Sequence, residues 1–383
     1  MRILHLGKFH PPAVGGIELF VRDLAVALDA RGAENLLLVH HHRPLRRSCR
    51  ETADGLPVVR TMTFGQLAYA PLAPSLPWHL LRLVRTFRPD IVHVHMPNTS
   101  GFAALLLPPR LPVVLHWHAD VVPSRIDAKL ALLYPPYRLL ERKLLTRAAA
   151  VIATSQPYLD ASRALAPFRD KCAVVPLGID PGRLQRPAPK RVADLRRSYG
   201  DRPLVVALGR FAYYKGFQHL VRAATELPQA CVVIIGDGPE RPAVSRLVSD
   251  LGLTDRVFLP GQLPDAAAHE HLAACDLFCL PSVERTEAFG LSLLEAMAFG
   301  KPLLTTALAG SGVSWVNQDG QTGLVVPPAD PPALAAVIRT LLDDPARAAG
   351  YGRQALERLD QQFHINEIAE RIELIYRTTL VGV

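Results

Sequence analysis

Glu287 and Glu295 stand eight residues apart in the run Arg285-Thr-Glu-Ala-Phe-Gly-Leu-Ser-Leu-Leu-Glu-Ala-Met-Ala-Phe-Gly-Lys-Pro302. Two acids at that spacing invite acid–base or hydroxyl-binding chemistry. Residues 290 to 299 read as a helix stopped at Gly300, because Gly accepts a left-handed cap and Pro302 cannot continue the ladder. Leu291, Leu294, Glu295 and Ala298 recur at the three- and four-residue spacings of one helical face, which places Glu295 inside an apolar stripe. A buried carboxylate without partners is costly, so a ligand offering hydroxyls or amides to Glu295 is expected. Glu287 and the backbone N–H groups of Phe289, Gly290 and Leu291 would face that ligand at the positive helix end.

Distance sorts the chemistry. Eight residues of helix cover about 12 Å at 1.5 Å per residue. Carboxyl pairs that hydrolyse glycosidic bonds sit roughly 5 Å apart when they retain configuration and roughly 6.5–9.5 Å apart when they invert it. The two acids therefore read as anchors along an extended ligand. Two glutamates so spaced arise by chance in most chains of this size. The neighbouring Phe-Gly, the Gly-Lys-Pro stop and the turn-rich run from Asp319 to Pro328 weight the ligand reading.

A second group of residues suits an anion. Gly209-Arg-Phe-Ala-Tyr-Tyr-Lys-Gly216 follows an apolar strand, so Arg210 and Lys215 emerge where open α/β sheets bind ligands and offer a fork and a point cation to a diphosphate. The pattern is not a P-loop, and a strand-terminal Arg is also often merely solvated. Gly15-Gly16 lies between the first strand and the first helix, where glycines admit a phosphate or simply make a turn. His118, in His116-Trp-His118-Ala-Asp120, ends another strand and reaches the same ligand or packs structurally. Gly236, Gly261 and Leu263 close two strands of the second half and are placed to frame a nucleobase through the backbone. The triplet His40 to His42 reads as a solvated edge. No Asp-x-Asp triplet is present to chelate Mg²⁺ on a sugar nucleotide, and the five scattered cysteines form neither a disulfide framework nor a zinc pattern.

The elements that must position these residues repeat. Arg2 to Leu6, a Gly-Pro loop and an amphipathic run from Glu18 to Leu28 give strand, loop, helix; Pro203 to Leu208, Gly209 to Gly216 and Gln218 to Glu226 give it again. Continuous apolar runs alternating with helical stretches predict parallel sheets covered on both faces. The expected fold is α/β, with two doubly wound domains of 1–177 and 178–383 opening on a shared cleft. The helix predicted over about 365–377 is compatible with packing on either domain. Of the net charge of +8, residues 1–177 carry +10 and the rest −2. A basic half favours an anionic partner: a phosphorylated substrate, a membrane surface or nucleic acid. Without aromatic residues interleaved on a basic strand, nucleic acid is the weakest of these. No apolar run reaches the roughly 20 residues of a membrane span, and the first segment reads as a strand, so a cytosolic protein is expected.

Taken together, the chain resembles the retaining glycosyltransferases of the GT-B fold, the group numbered four, over essentially its whole length. The resemblance implies that Glu287 holds hydroxyls of the donor sugar and Glu295 the nucleoside ribose. Arg210 and Lys215 would bind the diphosphate, Gly15 and Gly16 form the phosphate loop, and His118 lie near the transferred sugar. Phe289, Gly290 and Leu291 would supply backbone contacts. Tyr-Tyr-Lys-Gly, Thr-Glu-Ala-Phe-Gly and Gly-Val-Ser-Trp-Val-Asn with Asp-Gly-Gln-Thr-Gly look like bacterial mannosyl- or rhamnosyltransferases. That narrower likeness implies a GDP-sugar rather than a UDP-sugar, a polyprenyl-diphosphate-linked saccharide acceptor in O-antigen or exopolysaccharide synthesis, no metal cofactor, and a peripheral position on the cytoplasmic face of an anionic membrane. Leu177 departs from the Asn that many members carry there. A nucleotide-sugar epimerase or hydrolase would use the same architecture.

Overall fold

A computed structural model describes residues 1–13, 15–67, 70–121 and 128–381, excepting the side chains of 67 and 128–132. Two compact units result, Met1–Gly178 with Ile365–Val383, and Ile179–His364. The division thus falls after Gly178 rather than Leu177, and the chain's last helix leaves the second unit.

The first unit is built on an eight-stranded sheet. From one edge to the other its strands are Cys172–Val174, Ala150–Ala153, Val113–Trp117, Ile91–Met96, Arg2–Leu6, Glu34–His40, Leu56–Thr61 and Cys49–Ala53. All neighbours pair in parallel except the last two. The central strands are aliphatic, and Ile3, Leu4, Leu37, Val92, Val94, Val114 and Leu115 are fully buried, as a parallel sheet covered on both faces requires. Strand order reverses between Arg2–Leu6 and Ile91–Met96, the crevice position of a doubly wound sheet.

The closing helix, Ile365–Val381, packs on the Gly16–Ala30 helix of this unit. Arg31 pairs with Glu373 at 2.8 Å and with Glu370 at 3.5 Å, and Arg371 donates to the Val174 carbonyl at 3.0 Å. Buried Tyr376 meets His93 Nδ1 at 2.6 Å. With this helix included, the first unit holds 24 Lys and Arg against 15 Asp and Glu.

The second unit has six parallel strands in the order Val257–Gly261, Cys231–Ile235, Leu204–Leu208, Leu277–Leu280, Leu303–Thr306 and Gly323–Val326. Its order reverses between Leu204–Leu208 and Leu277–Leu280. The loops after those two strands, 209–216 and 281–290, are therefore the pair that flanks the crevice. Phe211, Phe217, Leu220, Leu304, Leu334 and Ile338 belong to its core.

Candidate active site

In the second unit the two crevice loops meet through charge. Lys215 Nζ lies 2.5 Å from Glu287 Oε2, with both side chains about 10% exposed. Ser282 Oγ donates to the same carboxylate oxygen at 3.2 Å. Burial alone would depress the Lys215 ammonium, but the Glu287 carboxylate and Tyr214 hold its pKa above the ordinary value. The Glu287 loop is itself pinned: its carbonyl accepts from Ser311 Oγ, and Gly312 N–H donates to the Ala288 carbonyl at 2.8 Å. Arg210 is exposed on the Lys215 loop.

Two glycines set the surroundings. Gly236, at φ 138°, lies so close to the neighbouring loop that a Cβ would stand 2.0 Å from the Gly209 carbonyl oxygen. Gly290, at φ 85°, is the left-handed N-cap of the Leu291–Ala298 helix, and a Cβ there would meet Leu280 and Leu293 at 2.9 Å. That conformation turns Phe289 into the core, and in the first turn Leu293 N–H donates to the Gly290 carbonyl at 2.8 Å. Gly261 closes its strand by accepting from Gly236 N–H at 2.9 Å, and Leu263 follows half-buried.

Glu295 is half-buried rather than sealed in an apolar stripe. Leu293, Leu294, Ala296, Met297 and Ala298 are the buried residues, because the helix packs on the sheet and the Pro345–Gln362 helix, which cover most of its circumference. Glu295 shares the more open side with Leu291 and Ser292 and is reachable by a ligand.

The first unit offers neutral polarity instead. His118 is buried at the end of Val113–Trp117, and its Nε2 lies 3.1 Å from His95 Nδ1. His95 Nε2 lies 3.3 Å from His5 Nδ1, and His5 Nε2 lies 3.1 Å from Asn35 Oδ1. His93 and His116 pack beside this row. Desolvation lowers the pKa of all five imidazoles, to about 4 for His5 and about 3 for His118. Two trios, His5, His93, His95 and His95, His116, His118, bring ring nitrogens within 4.8 Å of one another. His95 belongs to both trios, and both of its ring nitrogens are already engaged with neighbouring imidazoles, Nδ1 with His118 and Nε2 with His5.

Gly15 and Gly16 begin the Gly16–Ala30 helix, but the Glu18 side chain already lies over Gly15. Glu18 is the third helical residue, the position from which a carboxylate answers the positive helix end. His40 is not solvated: it is buried, with Nε2 2.8 Å from Ser100 Oγ, while His41 and His42 are half-exposed. Ser282, Ser311, Asn35, His5 and His95 escaped the sequence reading. Only the alternation His93-Val-His95, which puts both rings on one sheet face, carried a signal for them.

Against known families, residues 194–358 match the model described as glycosyl transferases group 1, and residues 15–178 match the glycosyl transferase 4-like domain. The chain is 32% identical to the D-rhamnosyltransferase WbpZ of Pseudomonas aeruginosa over 95% of this chain and 92% of that protein. It is 29% identical to the O-antigen chain mannosyltransferase C of Escherichia coli over 99% of each. Among solved structures, a sucrose-phosphate synthase from Thermosynechococcus elongatus superposes with a TM-score of 0.85 at 26% identity, covering 100% of both chains.

Proposed function

The chain belongs to the group 1 glycosyltransferases, and we propose that it transfers a hexose, mannose or a deoxyhexose such as rhamnose, from a GDP-linked donor to a polyprenyl-diphosphate-linked saccharide with retention of anomeric configuration. The product would enter O-antigen or related cell-surface polysaccharide. The observation that carries this reading is the buried Lys215–Glu287 contact, which unites the cation expected at the diphosphate with the acid expected at the sugar on the two loops flanking the crevice.

Lys215, Arg210 and the N-terminus of the Leu291–Ala298 helix would offset charge growing on the departing diphosphate. As the bond from the anomeric carbon to the phosphate oxygen breaks, the acceptor hydroxyl attacks from the same face. Its proton passes to a donor phosphate oxygen. Phosphate would join Glu287 as a partner of Lys215, Glu287 would hold sugar hydroxyls and Glu295 the ribose. His118 is assigned to a hydroxyl of the sugar. With cations in place and no Asp-x-Asp, the reading needs no metal. Donor identity rests on the mannosyl- and rhamnosyltransferase likeness.

The acceptor assignment draws on the basic first unit. Arg43, Arg46, Arg47 and Arg50 are exposed, as are Leu45 at 68%, Phe64 at 54% and Trp78 at 57%. Leu45 N–H donates to the Thr63 carbonyl at 2.7 Å, so Leu45 and Phe64 lie on adjoining backbone. Leu80, in the run from Leu76 to Arg88, turns into the core instead. No helix among the described residues is long and apolar enough to cross a membrane.

Calorimetry with GDP and UDP tests the nucleotide assignment. GDP should bind more tightly, and Glu295→Ala should weaken it about tenfold or more, the worth of a hydrogen bond to a charged group. A clear preference for UDP overturns the donor, and unchanged affinity in folded Glu295→Ala overturns the ribose contact.

A further inference from the structure

The imidazole row has a direction, and the direction follows from its far end. Asn35 Nδ2 donates to the Ala33 carbonyl at 3.2 Å, which turns its Oδ1 toward His5. An amide oxygen only accepts, so His5 must carry its proton on Nε2. Neutral His5 then has only a lone pair on Nδ1, and His95 Nε2 must donate to it across 3.3 Å. Neutral His95 in turn accepts at Nδ1, and His118 Nε2 must donate across 3.1 Å. His118 Nδ1 is left as a buried lone pair with no hydrogen-bond partner among the described residues.

We propose that Asn35, acting through His5 and His95, fixes His118 as its Nε2–H tautomer and so presents Nδ1 as an acceptor for a hydroxyl of the transferred sugar. Asn35, His5 and His95 are positioning residues in this arrangement. The assignment of His118 to the sugar rests on the glycosyltransferase reading; the order of protons along the row does not. Every member is fully or almost fully buried, and the depressed pKa values keep the imidazoles neutral near pH 7, as the relay of donors requires. An unsatisfied buried acceptor costs free energy in the ligand-free protein. A hydroxyl donor recovers that cost on binding, whereas the opposite tautomer would set an N–H there.

Long-range proton–nitrogen correlation spectra of the full chain with ¹⁵N-labelled histidine, without ligand at pH 7.5, read the tautomers directly. His5, His95 and His118 should all appear as Nε2–H, with Nδ1 hydrogen-bonded in His5 and His95 and bare in His118. A proton on Nδ1 of any of the three, or a hydrogen-bonded Nδ1 in His118, overturns the proposal whatever the enzyme transfers. In turnover with its nucleotide sugar, Asn35→Leu should lower kcat roughly tenfold with little change in donor KM, and Asn35→Asp, which keeps the acceptor, should restore it. Full kcat in Asn35→Leu contradicts the positioning role. Should Asn35→Leu not fold, the wild-type resonances decide alone.

Discussion

The two sheets carry their polar residues in opposite electrical forms. In the second unit a full cation and a full anion, Lys215 and Glu287, are held together with little water at the reversal of strand order. In the first unit, at the corresponding reversal, a row of neutral imidazoles shares protons. The pair suits a ligand that brings charge of its own, because a diphosphate can join a carboxylate beside an ammonium. The row suits a ligand that brings only hydroxyls, because a neutral acceptor orients a hydroxyl without demanding a counter-ion. One architecture thus carries an ionic and a neutral polar cluster, and the burial that both share makes the contrast measurable.

Breaking the ionic member should cost most. Glu287→Ala leaves Lys215 buried without its carboxylate, and loss of one partner of a buried pair typically destabilises by about 3–5 kcal/mol. Denaturant unfolding should show that loss. The double replacement Lys215→Met with Glu287→Leu should unfold near the wild-type midpoint while remaining without turnover. A loss in the double replacement equal to the sum of the two single losses would show that the pair is not coupled.

Acid should strike the neutral member next. His5, His40 and His118 have folded pKa values of about 4, 4 and 3, below the 6.5 of an unfolded histidine. The unfolded chain therefore binds more protons across this window. Their contribution is complete above pH 6.5 and falls as pH drops toward 4, by about 3 kcal/mol for His5 alone. Hydrogen exchange, corrected for its intrinsic pH dependence, should show Ile91–Met96 and Val113–Trp117 losing protection between pH 6.5 and 4 before Leu204–Leu208. Simultaneous loss in both sheets would remove the distinction.

The smallest effect per residue belongs to the basic surface. Each arginine near an anionic leaflet contributes about 1 kcal/mol, so flotation with anionic vesicles should need low salt and weaken when Arg43, Arg46, Arg47 and Arg50 become Ser. A protein that stays with the soluble fraction at low salt whatever the lipid contradicts the membrane-bound acceptor.

The same contrast explains what the sequence made legible. Strands Arg2–Leu6, Cys231–Ile235, Leu277–Leu280 and Leu303–Thr306 coincide with apolar runs, because burial on both faces leaves little choice of residue. Cys49–Ala53 and Gly323–Val326 were hidden, the first being mostly exposed and antiparallel and the second embedded in turn residues. The ionic residues stood out in compact motifs. Their contact could not be read, because 72 positions separate Lys215 from Glu287 and only the sheet order joins their loops. The imidazole row was harder still: its histidines come from three adjacent strands and Asn35 from a fourth, and a single histidine on an apolar strand resembles any other buried polar residue. Glu295 was placed on the right helix but too deep, since helical periodicity gives a face and not how far neighbours cover it.

Incubating the protein in EDTA with GDP- and UDP-sugars, with and without lipid-linked saccharides, and determining the anomeric configuration of the product, tests the account most directly. Donor should be consumed only when acceptor is present, turnover should survive EDTA, and the new bond should keep the donor's configuration. Donor consumed without acceptor, activity abolished by EDTA and restored by Mg²⁺ or Mn²⁺, or an inverted product would contradict it.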